Sequence, residues 1–142
     1  LRVLERVNRE MGESMASGLA GEASLDSLVT RLVEAVAETL RRHAPPMAAL
    51  MQIASVDDHV AATGKAFYQQ TVDAWSAAIL AHRDEIRRPD AERAVDTAFR
   101  VLYAAVARYL GFGSARGSSL GGDWDVLKQD IAVMIAAFLR AG

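Results

Sequence analysis

The chain holds 3 histidines, 18 carboxylates and no cysteine, and catalysis or metal binding would have to be built largely from these. A metal-carboxylate centre in a helical bundle needs Glu-x-x-His, which sets both ligands on one helix face. None of His43, His59 and His82 has a glutamate three residues before it. Asp57-Asp58-His59 brings ligand types together, but adjacent residues on a helix point apart, so the run reads as a solvated charge cluster at a helix start. Without cysteine there is no thiolate nucleophile, thiolate metal site or disulfide framework. A serine nucleophile would want a G-x-S-x-G elbow between strand and helix, and no strand pattern exists here. The stretch GFGSARG, starting at Gly111, lacks the Gly-Lys-Ser/Thr ending of a phosphate-binding loop and reads as a linker. Neither catalysis nor a metal or cofactor is expected.

The elements that would position any site are helical. Alanine is abundant, only 3 residues are proline and aromatics make up 6% of the chain, a composition that favours helix. At 142 residues the chain is a single domain, residues 1–142. Apolar residues recur at helical spacing and nowhere alternate as a strand would, so the expected fold is all-α with about six helices. The first covers residues 1–20, with Leu1, Leu4, Val7 and Met11 on one face. Ser24 caps the second, whose stripe is Leu25, Val29, Leu32, Val36 and Leu40. Pro45 and Pro46 introduce a short helix over residues 47–54. Ser55 to Asp58 reads as a capping box opening a long segment to about Arg87, which Gly64 breaks near its start. Its inner stripe is Phe67, Thr71, Trp75, Ala78 and His82. Asp90 caps the fifth helix, residues 91–110, and Asp123 caps the last, after a glycine-rich loop.

The formal charge of −2, from 16 basic and 18 acidic residues, is not that of a module that grips nucleic acid by itself. The arginine pairs 41–42 and 87–88 each fall in a helix's last turn, where they offset the helix dipole. The longest apolar run, Ile131 to Leu139, has nine residues and cannot span a bilayer. Membrane association is not expected, and the expected location is cytoplasmic.

One constellation stands out. Met47, Leu50 and Met51 on the short helix, and Phe67, Gln70, Thr71 and Trp75 on the long one, are bulky groups in an alanine-rich chain. Phe99 and Tyr103, with Asn8, Met11 and Met15, can face them. Methionine adapts its shape, aromatic rings offer flat apolar walls, and Gln70 or Thr71 can orient a ligand. On residue types alone, ordinary core is the plainer reading. The last helix adds a second signal. Trp124, Leu127, Ile131, Met134 and Phe138 make one apolar face, and Val126, Val133, Ile135, Ala136, Ala137 and Leu139 fill most of the remaining circumference. Val95, Ala98, Leu102, Val106 and Tyr109 stripe the fifth helix, widened by Ala94, Val101, Ala104 and Ala105. Helices apolar nearly all round need covering nearly all round, so the two are expected to pair with their copies as an intermolecular four-helix bundle in a homodimer; the alternative is a larger monomeric core that encloses the last helix.

The helix order, the PPM start of the short helix, AFYQQTVDAW, the restart PDAERAVDTAFRVLYAAVARYLGFG and the close DWDVLKQDIAVMIAAFLRAG together resemble one family. They look like the C-terminal regulatory domain of a tetracycline-repressor (TetR) family transcriptional regulator, over essentially the whole chain. The resemblance implies an antiparallel helical domain that dimerises through its last two long helices. Interface positions would then be Val101, Ala104, Ala105, Arg108, Trp124, Leu127, Ile131, Ile135 and Phe138. It also implies a small apolar or aromatic effector bound among the earlier helices, with Met47, Met51, Phe67, Gln70, Thr71, Trp75, Phe99 and Tyr103 as lining. A Trp75→Ala exchange is accordingly expected to weaken effector binding. Finally it implies an N-terminal helix-turn-helix head, absent from these 142 residues, through which alone operator DNA would be a partner, and a role as repressor. The alternative is a stand-alone helical dimer that binds an apolar small molecule or a protein partner with no DNA role.

Overall fold

The computed structural model describes residues 2–17, 24–112 and 121–142. Leu1, the expected end of the first helix at residues 18–21, and most of the glycine-rich loop lie outside the described residues. The described residues form six α-helices: α1 (Arg2–Ser17), α2 (Leu25–Arg42), α3 (Ala44–Ala54), α4 (Asp58–Leu80), α5 (Ala91–Leu110) and α6 (Trp124–Arg140). Among the described residues no strand occurs, and no helix is long and apolar enough to cross a membrane.

α2 is the central element and touches all five other helices. Its expected stripe, Leu25, Val29, Leu32, Val36 and Leu40, is entirely removed from solvent. Each such leucine would cost about 2–5 kcal/mol to truncate to alanine. Ser24 caps α2 by accepting from the Ser27 N–H at 3.3 Å. Against α2 pack Leu4, Val7, Met11 and Met15 of α1 on one side and Trp124, Ile131, Ile135 and Leu139 of α6 on another, all buried.

Three boundaries differ from expectation, each for a local reason. α3 begins at Ala44, not Met47, because Pro45 and Pro46 occupy its first turn, where a missing N–H costs nothing. Asp57 caps α4 where Ser55 was expected: its carboxylate accepts from the His59 and Val60 N–H groups at 2.9 and 3.1 Å. The Ser55 hydroxyl donates instead to the Gln52 carbonyl at 2.6 Å. The long segment stops at Leu80 rather than Arg87, and Gly64 does not interrupt it. A 3-10 turn over Arg83–Glu85 follows, and the Glu85 carboxylate accepts from the first N–H of α2, at Leu25, at 3.1 Å. The end of this segment thus helps cap the start of the central helix.

α5 runs between the expected Asp90 cap and Gly111, whose φ of 80° is a left-handed closing conformation that suits glycine. α6 lies antiparallel to it. At one end the Arg87 N–H donates to the Leu139 carbonyl at 2.9 Å and the Arg88 guanidinium covers the Phe138 ring. At the other, the Tyr109 hydroxyl donates to the Gly122 carbonyl at 3.0 Å and its ring leans on Trp124.

One charge is buried among the described residues: Lys128 of α6, whose ammonium lies 2.8 Å from both Glu34 and Glu38 of α2. Trp124 Nε1 donates to the same Glu38 carboxylate at 3.1 Å. Burial by itself would ease the proton off Lys128, but the hydrogen bonds to Glu34 and Glu38 outweigh it and hold the ammonium well above the usual lysine range. Glu38 follows the same logic in reverse: burial pushes its carboxyl up, while Lys128 and Trp124 pull it lower still, below the usual carboxylate range.

Candidate functional site

Two features of the described residues bear on function, an apolar cavity and an exposed apolar face. The cavity holds about 240 Å³. Four helices wall it: α1 through Leu4; α3 through Met47, Leu50, Met51 and Ala54; α4 through Val60, Ala61, Gly64 and Phe67; and α5 through Tyr103. The α3 sequence APPMAALMQIA carries no charged residue, so the cavity wall it forms is apolar without a break. Among the described residues the only polar side-chain group in the lining is the Tyr103 hydroxyl. Burial raises the Tyr103 phenol above its usual range, and nearby Tyr68 adds to the shift, so the group stays neutral and can both donate and accept.

Of the eight residues expected to line a pocket, Met47, Met51, Phe67 and Tyr103 do so, and Gln70, Thr71, Trp75 and Phe99 do not. Trp75 is fully buried and donates from Nε1 to the Val95 carbonyl at 3.1 Å. Its ring meets Phe99 edge-on at 5.5 Å, Phe99 meets Tyr68 at 5.5 Å, and Tyr68 meets Tyr103 at 5.2 Å. Trp75 and Phe99 therefore form the packed backing that orients Tyr103, and do not touch the cavity themselves. Thr71 is buried with its hydroxyl returned to the Phe67 carbonyl at 3.1 Å. Gln70 is exposed and accepts from Asn8 of α1.

That pair ties α1 to α4. A further tie is Glu10, whose carboxylate lies 2.8 Å from His43 Nε2 and 2.9 Å from the Arg42 guanidinium. These two partners hold the Glu10 carboxyl below the usual range, His43 first. Leu4 lies near the start of α1, one to two turns before both ties.

The cavity residues not anticipated as lining were Leu4, Ala54, Val60, Ala61 and Gly64. Their signal was present: small residues recur at Ala61 and Gly64, three apart on one face of α4, opposite a methionine-bearing helix. Gly64, expected to break the helix, instead continues it and opens room beside the cavity: a Cβ built there meets nothing within 4 Å.

The exposed face lies on α5 and α6. Val101 is 55% exposed, Val126 50%, Val133 68% and Met134 66%, values unusual for large apolar groups. Thr97, Val101, Ala104 and Arg108 recur at helical spacing along exposed α5, as do Val126, Asp130, Val133 and Ala137 along α6. Half-buried Ala105, Leu127 and Phe138 lie between these stripes and the core. Of the expected interface residues, Val101, Ala104 and Arg108 are exposed and Ala105, Leu127 and Phe138 half-buried. Trp124, Ile131 and Ile135 are not available: they are buried within this chain, because α6 turns that side to the central helix. The accessible apolar groups of α6 are Val126, Val133 and Met134 in their place.

Among the described residues no group of three or more histidines and carboxylates is arranged to hold a metal ion. Comparison with family models, with curated proteins and with solved structures returned no match.

Proposed function

We propose that this chain is the effector-sensing and dimerising domain of a TetR-like transcription regulator, a repressor released from operator DNA when a small apolar molecule occupies the cavity. The observation that carries this reading is the membership of the cavity wall. Leu4 of α1 lines a space otherwise walled by α3, α4 and α5, so a molecule in it touches the first helix directly. The ties through Asn8 and Glu10 hold α1 further along and make a pivot about which its start can swing.

The exposed α5 and α6 stripes support the second half of the reading. Two copies joined through them bury Val101, Val126, Val133 and Met134 in an antiparallel four-helix bundle. The two α1 helices then become arms of one symmetric body. In this reading each arm carries a DNA-reading head, and the separation of the heads must match half-sites about 34 Å apart or a multiple of it. An effector acts only by binding more tightly to the arrangement in which that separation is wrong.

The test is the coding sequence immediately upstream of Leu1 in the natural gene. A helix-turn-helix segment running into LRVLERVNREM supports the proposal. An initiator codon directly at that point overturns it and leaves the alternative, a helical dimer that binds an apolar molecule or a protein with no DNA role.

A further inference from the structure

We infer that the cavity takes a neutral molecule of about single-ring size with one hydrogen-bonding oxygen, which Tyr103 holds, and that Gly64 is the residue that keeps room for it. The inference rests on the effector-sensing reading and narrows it to a ligand class.

Size comes first. Benzene fills an engineered cavity of about 150 Å³, and drug-sized molecules occupy sites of about 300–1,000 Å³. The 240 Å³ here lies between, enough for one ring with a short substituent. Charge comes second. Nine of the ten lining residues are aliphatic, thioether, phenyl or glycine, and none carries a formal charge. An ionised ligand would lose its hydration against Leu4, Met47, Leu50, Met51 and Phe67 with no counter-charge in return. Polarity comes third. Among the described residues the Tyr103 hydroxyl is the sole polar side-chain group in the wall, and the edge-on Trp75, Phe99 and Tyr68 rings behind it fix its direction. One oxygen on the ligand satisfies it.

Gly64 explains why the space persists. It lies within a 23-residue helix at an ordinary helical φ, where glycine is the worst choice after proline. No neighbour requires it, since a Cβ there meets nothing within 4 Å. Its role is therefore the absence of a side chain at the cavity wall. A larger residue at 64 would grow into the cavity while strengthening the helix, which separates loss of binding from loss of fold.

The five methionines report on this directly, since Met47 and Met51 line the cavity, Met11 and Met15 are core, and Met134 is exposed on α6. Methyl-labelled methionine is followed by NMR while acetophenone, ethylbenzene and benzoate are titrated into the wild type, Gly64→Leu, Tyr103→Phe and the control Gly12→Ala. Acetophenone and ethylbenzene should move Met47 and Met51 and leave Met134 in place, with benzoate at least about tenfold weaker than acetophenone. Gly64→Leu should abolish the shifts with its melting temperature maintained or raised. Tyr103→Phe should weaken acetophenone about three- to tenfold and leave ethylbenzene unchanged. Gly12→Ala should bind as the wild type does. Benzoate binding as tightly as acetophenone, undiminished binding in Gly64→Leu, or no shift of Met47 and Met51 with any probe overturns the assignment. Its failure is distinct from that of the broader reading: an upstream helix-turn-helix without acetophenone binding keeps the regulator and discards this ligand class, and the converse pair does the reverse.

Discussion

Val133→Glu is the most informative single change on the exposed α5/α6 face. Val133 is 68% exposed in the single chain, so the substitution removes little packing within the protomer. Glutamate is also a better helix former than valine, and the isolated domain should change by no more than about 0.5 kcal/mol. The proposed dimer responds very differently. Two-thirds of a valine is about 100 Å² of apolar area, worth about 2.5 kcal/mol per copy when buried at ~25 cal/mol/Å², and a twofold interface loses it twice. Each carboxylate must in addition be dehydrated or escape, so the dissociation constant should rise by about a thousandfold or more. Sedimentation velocity across micromolar concentrations reads this directly. The wild type should run as a dimer and Val133→Glu as a folded monomer with an unchanged melting temperature. Val56→Glu is the matched control: Val56 is 87% exposed but lies in the turn between α3 and α4, and the dimer should survive. A monomeric wild type, or a Val133→Glu variant as dimeric as the wild type, would refute the assignment of this face.

Three further outcomes follow from the packing. Trp75→Ala should destabilise the domain by about 3–5 kcal/mol in urea unfolding, because the indole is fully buried and hydrogen-bonded to Val95. Trp75→Phe, which preserves the ring contact to Phe99, should cost clearly less and leave acetophenone affinity within about threefold. Lys128→Met should cost about 1–3 kcal/mol, less than the ~3–5 of a wholly buried pair, because Glu34 and Glu38 keep access to water. That difference should depend on pH in a set direction. Glu38 is held below its ordinary range, so its contribution is full above about pH 4–5 and fades as pH falls through the lowered value. Lys128 is held above its ordinary range, so its contribution is full below about pH 10 and fades only as pH rises through the raised value. Denaturant midpoints of the two proteins should therefore run parallel between these limits and converge in acid. Gly12→Ala should raise stability by about 0.5–1 kcal/mol, since Gly12 is exposed within α1 and a Cβ there meets nothing.

The helices were legible in the sequence because periodicity is a local property. The five-residue stripe of α2 and the aspartate caps of α5 and α6 stood where spacing put them. The α4 cap was misread because Ser55 and Asp57 both precede the helix, and only the direction of the chain leaving α3 decides which of them meets its N–H groups. The site was legible only in half. Phe99 and Tyr103 stand one turn apart on the same side of α5 and are chemically alike, yet α3 leaves the cavity beside the second alone. Trp75 likewise shares a stripe with Phe67, but lies two turns deeper, where Val95 and Phe99 fill the space. Composition can announce that α6 is apolar on too many sides. Which side meets α2, and so which residues remain for a partner, is set by tertiary packing that no local pattern encodes.

Occupancy of the cavity should move α1 within a dimer. The chain has no cysteine, so Glu5→Cys, an exposed position one residue from Leu4, gives a single spin-label site on each α1. Pulsed dipolar spectroscopy then measures the distance between the two labels with and without saturating acetophenone. One defined distance is expected in the free protein, with a shift of several ångström on binding that is lost in the Gly64→Leu variant. No intermolecular dipolar signal, or the same distance distribution with the cavity full and empty, would contradict this expectation.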